Sequence, residues 1–101
     1  MSRRRAPRPA ADALQAALQR VAPKTPLAAV QAAWTKTVGE YLAAVAVPVS
    51  ERAGTVTVEC ADAVSAQELD LMRETFLERL REELGDQAPQ ALRFRVNSER
   101  F

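Results

Sequence analysis

WTKTVGEYLAAVAVPVSERAGTVTV, residues 34–58, decides how the chain folds, because the spacing of its apolar residues changes partway along. Leu27, Val30, Trp34 and Val38 recur at helical spacing. Gly39 interrupts them, and the YLAAVA run that follows is long enough for one further helical turn. From Thr55 the period is two: Val56, Val58 and Cys60 alternate with Thr55, Thr57 and Glu59, the mark of a half-buried strand. Between them, Glu51 to Gly54 supplies a hairpin turn. Pro48 cannot donate to a sheet ladder, so the strand holding Val47 and Val49 must be short, begin there, or lie at an edge.

Upstream, Thr25-Pro26 provides an N-cap and first-turn pair for the helix carrying Trp34. Before it, Leu14, Ala17, Leu18 and Val21 make a short amphipathic helix that ends at Pro23. Downstream, Leu69, Met72, Phe76, Leu80 and Leu84 lie on one stripe of a long helix from about residue 61 or 62 to Leu84, capped by Gly85. Leu92, Phe94 and Val96 then alternate with Arg93, Arg95 and Asn97 in a last strand with a basic outer face. The order α-α-β-β-α-β predicts an α+β domain with a three-stranded mixed sheet packed against helices. The long helix between the second and third strands favours placing those two strands parallel.

A chain of 101 residues has room for one domain. We expect a basic flexible arm over residues 1–9 and a single folded domain over residues 10–101. Apolar residues make up 48% of the chain, but only five residues are aromatic, so the core is thin and each ring in it matters. Cys60 is the single cysteine and histidine is absent, which argues against a disulfide, a cysteine-based zinc cluster and histidine acid–base chemistry. No cofactor or small-molecule substrate is expected. An arginine-rich start without an apolar segment behind it gives no sign of a signal peptide or membrane span, and a cytoplasmic protein is expected.

The formal net charge of +1 conceals an asymmetry. Arg3, Arg4, Arg5 and Arg8 face no acid in the first nine residues, whereas the remainder holds ten basic against thirteen acidic residues, about −3. The arm is suited to phosphates or to an acidic surface, and any nucleic-acid binding it confers should be local and salt-sensitive.

Trp34 with Val38-Gly39, Leu42-Ala43, Pro48-Val49, Gly54 before TVTV, the helical Ala66-Gln67-Glu68-Leu69 and the closing LRFRV, taken in order and spacing, resemble the DciA family. That family comprises bacterial replicative-helicase loaders and regulators with a K-homology-like domain. The resemblance implies a non-enzymatic DNA replication factor that binds the replicative helicase and DNA, with single-stranded DNA a candidate form, rather than hydrolysing nucleotide. The absence of a GxxxxGK[ST] loop agrees with this. Two features depart from the family and its fold: the sequence carries no long basic tail of the kind many members add, and Gly39, Gly54 and Gly85 are isolated, so the GxxG clamp of K-homology domains is missing.

The candidate nucleic-acid contacts are Arg3, Arg4, Arg5, Arg8, Lys24, Lys36, Arg93 and Arg95. Each has a plainer alternative, a solubilising tail for the arm and a solvated face for the strand pair. Arg93 and Arg95 share a face that Thr55 and Thr57 are placed to extend, but no aromatic alternates with them for base stacking. Trp34 reads either as core, its indole N–H reaching a carbonyl or water, or as a partly exposed anchor for the helicase. Asp70, Glu74, Glu78 and Glu82 form a like-charge column, read as a solvated face or a docking stripe for a basic partner. Two further readings stand beside the helicase factor: a helicase-independent DNA- or RNA-binding module, and a purely structural adaptor.

Overall fold

The computed structural model describes residues 25–101. The basic arm, the Leu14–Val21 helix and Lys24 lie outside the described residues. Helix α1 spans Pro26–Val38, with the Thr25 hydroxyl accepting the Ala28 N–H at 3.0 Å and Pro26 in the first turn. Gly39, at φ +92°, ends α1 and starts α2, Glu40–Val45. That angle is what requires glycine, since the space around its α-carbon is open.

Strand β1 (Ala46–Arg52) pairs antiparallel with β2 (Thr55–Cys60), and β2 pairs parallel with β3 (Ala91–Val96), in the order β1-β2-β3. The mixed three-stranded sheet is therefore the one expected, and Pro48 lies on an edge strand. The register slips between Pro48 and Ser50, leaving Val49 as a bulge. Gly54 ties the hairpin tip to the start of β3, because its carbonyl accepts from Gln90 N–H (2.8 Å) and Ala91 N–H (3.2 Å).

The region expected as one long helix is two: α3, Ala63–Leu71, and α4, Arg73–Leu84. Met72 breaks them at φ −102°, ψ 14° and is 39% exposed instead of continuing the apolar stripe. Length supplies the reason. A straight helix over residues 63–84 would run about 33 Å, whereas six-residue strands span about 20 Å. The break lets α3 pack on β2 and β3 while α4 packs on α1.

The core is built between the helices and one face of the sheet. Val30, Trp34 and Val38 of α1 meet Ala46, Val56, Val58, Cys60 and Leu92 from the strands and Leu69, Phe76 and Leu80 from α3 and α4. Trp34 is 3% exposed, and its indole N–H donates to the Ala46 carbonyl at 2.8 Å, fixing α1 to the start of β1. Of the two readings of Trp34 the core one holds; as a partner anchor it is corrected, since no ring face reaches solvent. Cys60 is buried, and desolvation, with a smaller contribution from the Asp62 charge, pushes its thiol up to about 11.

Unfolding experiments test two features of this fold. Trp34→Ala removes the largest core side chain and strands the Ala46 carbonyl, so denaturant unfolding should show a loss of about 3–5 kcal/mol. Ala53 occupies the left-handed region at φ 52°, beside Gly54 at φ 86°, in the two-residue turn. Ala53→Gly, which relieves that backbone strain, should raise stability by about 1 kcal/mol in the same assay.

Candidate nucleic-acid interface

Among the described residues, helices cover one face of the sheet and leave most of the other to the strands' own side chains. On that outer face the strand register builds three rows. Arg52 lies beside Thr55 and Ala91, Ser50 beside Thr57 and Arg93, and Val47 beside Glu59 and Arg95. Phe94, with Leu92, is turned toward the core, as the alternation predicts.

The first two rows, with Ala53 of the turn and Arg95 of the third row, form an open groove of about 430 Å³ lined by Ser50, Arg52, Ala53, Thr55, Thr57, Arg93 and Arg95. No acid lines it. Arg52 and Arg93 are exposed and make no ion pair among the described residues. Arg95 is placed differently, because its Nε and Nη2 donate to Glu59 Oε2 at 3.1 and 2.5 Å.

Glu59 is 3% exposed, so its charge must be answered by the protein. Its second oxygen accepts from Asn97 Nδ2 at 3.1 Å and from Arg100 Nε. The Arg100 guanidinium, then that of Arg95, holds this carboxyl down at about 2, against a smaller opposing effect of burial. Arg100 belongs to a 3₁₀ turn, Ser98–Arg100, so the ion cluster also ties the segment after β3 onto the sheet.

Of the other predicted contacts, Lys36 is on α1, away from this face, and its ammonium pairs with Glu83 of α4 at 3.1 Å. The structure thus brings Arg93 and Arg95 together and leaves Lys36 apart. Sequence reasoning missed Arg52, Ser50 and the Glu59 cluster. Glu59 carried a usable signal, being an acid on the same strand face as Thr55 and Thr57. The acid column Asp70, Glu74, Glu78 and Glu82 is solvent-exposed, with Arg73 meeting Asp70 at 3.2 Å. Arg79 turns inward instead, donating to the Thr37 carbonyl at 2.9 Å with its guanidinium over the Phe76 ring.

Among the described residues no group of acids and thiols is arranged to hold a metal ion, and no helix is long and apolar enough to cross a membrane. What the face offers is guanidinium and hydroxyl donors, the groups that bind phosphate oxygens.

The described residues form a small α+β domain whose sheet carries an arginine- and hydroxyl-lined groove on the face away from the helices. The family model described as "Dna[CI] antecedent, DciA" matches residues 9–94, most of the chain, and the chain belongs to the DciA family. No curated protein sequence matches it. Membership implies a role related to loading of the replicative helicase, in a family of loaders and regulators not known as enzymes.

Since the folded-state pKa of Glu59 lies below its unfolded value near 4.5, its stabilisation is complete above about pH 4.5 and is lost as pH falls toward 2. Thermal melts should show a drop in Tm across that window. Glu59→Gln should start from a lower Tm at pH 7 and show a shallower acid dependence; an identical profile would count against the cluster.

Proposed function

We propose that this protein binds both the replicative helicase and DNA and so assists helicase loading or control, without hydrolysing nucleotide. The observation that carries the reading is the family match over residues 9–94. The fold supports it, since among the described residues no helix covers the basic groove at Arg52 and Arg93, while the helices present a separate, acid-rich exterior. One surface is thereby available to nucleic acid and another to protein. A K-homology-like ancestry fits the three-stranded sheet, but the isolated glycines mean that DNA is not held by a GxxG clamp. In this reading Arg3, Arg4, Arg5, Arg8 and Lys24 are phosphate contacts, together with Arg93 and the part of Arg95 that Glu59 does not occupy. Lys36 contributes less, since Glu83 already answers its charge.

The test is calorimetry or co-elution of the purified chain with the replicative helicase of its own organism, with and without single-stranded DNA. Saturable binding is expected. Absence of binding at both low and moderate salt would overturn the helicase half and leave a nucleic-acid module acting alone. Trp34→Ala is unsuitable as the interface variant, because its buried position makes any lost binding a report of unfolding.

A further inference from the structure

We propose that the groove between Arg52 and Arg93 is a seat for the phosphodiester backbone of a single strand, bound without regard to base identity. The inference rests on the DNA-binding half of the reading above and names its site. Three observations carry it.

The first is convergence. Arg52 on β1 and Arg93 on β3 are separated by the width of β2 and one row along the sheet, about 12 Å between α-carbons from ordinary sheet spacings. Two long guanidinium side chains rising from those points can close on one phosphate or on two neighbours. Thr55, Thr57 and Ser50 fill the floor between them with hydroxyl donors. Every polar lining group can therefore donate to a phosphate oxygen.

The second is charge allocation. Glu59 is the acid that the strand register places on this face, and it is occupied by Arg95, Asn97 and Arg100. Two arginines spent on one carboxylate leave that corner with a net positive charge, while Arg52 and Arg93 make no ion pair among the described residues. Pairing the acid elsewhere keeps it from competing with an incoming phosphate.

The third is the lack of any aromatic ring in the lining, Phe94 being turned to the core. Base stacking is the usual source of tight single-strand binding on a sheet. Without it the contact is with the backbone alone, so it is weak, indifferent to sequence and strongly salt-dependent. The narrow footprint of two arginines, one on a seven-residue and one on a six-residue strand, suits one extended strand better than a duplex, whose two phosphate rows would need a wider basic surface.

Fluorescence anisotropy on the full chain with a labelled oligothymidylate tests this, across a series of salt concentrations. Arg52→Ala/Arg93→Ala should bind about tenfold or more weakly at low salt and lose about 1.4 from the slope of log affinity against log salt. Both side chains are exposed, and an unchanged circular dichroism melt would confirm that the variant folds. An abasic strand of equal length should bind the parent chain as well as oligothymidylate does and should lose affinity equally in the variant. Parent-like affinity in the double variant, with loss only on removal of residues 1–9, would assign binding to the arm and overturn the groove while leaving the DNA-binding reading intact. No binding by the parent chain would overturn both. Equal or tighter binding of a duplex through the same two arginines would overturn the single-strand assignment.

Discussion

To pair β3 in parallel with β2, the chain must leave the end of β2 at Cys60 and travel back the length of the sheet before Ala91 can enter beside Thr55. Everything between is spent on that return. α3 descends along the strands, Met72 turns the path, and α4 packs against α1, so both helices of the crossover fall on the side already occupied by Trp34. The hairpin tip closes the circuit when Gly54 accepts the first two amides of the returning segment. With all the described helices on one side, the other face is covered, among the described residues, only where the segment after β3 folds back onto it. Its side chains must satisfy water, one another, or a partner.

Glu59 shows how that constraint is met. It sits at the end of the central strand where Arg95 is brought alongside by the parallel register, and the segment after β3 folds back to add Asn97 and Arg100. A carboxylate this shielded would be costly alone, and removing either arginine leaves a poorly compensated charge. The cluster is therefore less a source of net stability than a means of fixing register. A one-residue slip of β3 would carry Arg95 to the core face and leave Glu59 bare.

Features that depend on neighbours along the chain are legible in the residues alone: the Thr25-Pro26 start, the glycine between helices, the alternation of β2 and β3, and the parallel crossover. Features set by distances across the fold are not. The periodic stripe runs unbroken through Met72, and only the mismatch between helix and strand lengths says that it must break. Arg93 and Arg95 can be assigned to the outer face by counting in twos. Arg52 cannot, because uninterrupted alternation from Val47 directs it inward. The bulge at Val49 reverses the phase, sending Ser50 and Arg52 outward and Glu51 to the side of Val56. Half of the groove thus exists because of one extra residue next to Pro48.

That origin bears on what the groove can do. A bulge on an edge strand bends and twists it locally, placing Arg52 at the rim while Arg93 stands on the opposite edge, with only hydroxyls between. Such a surface has donors for phosphate but no aromatic ring on which a base could stack. In the proposed function, a factor that assists helicase loading must hold the strand and then release it. A backbone contact of two guanidinium groups, each worth a modest increment and readily exchanged for counterions, fits that demand better than a stacked, sequence-reading site. In the same proposal the Glu59 cluster keeps Arg95 and Arg100 occupied, which limits the free positive charge on the face and so how tightly a strand would be retained.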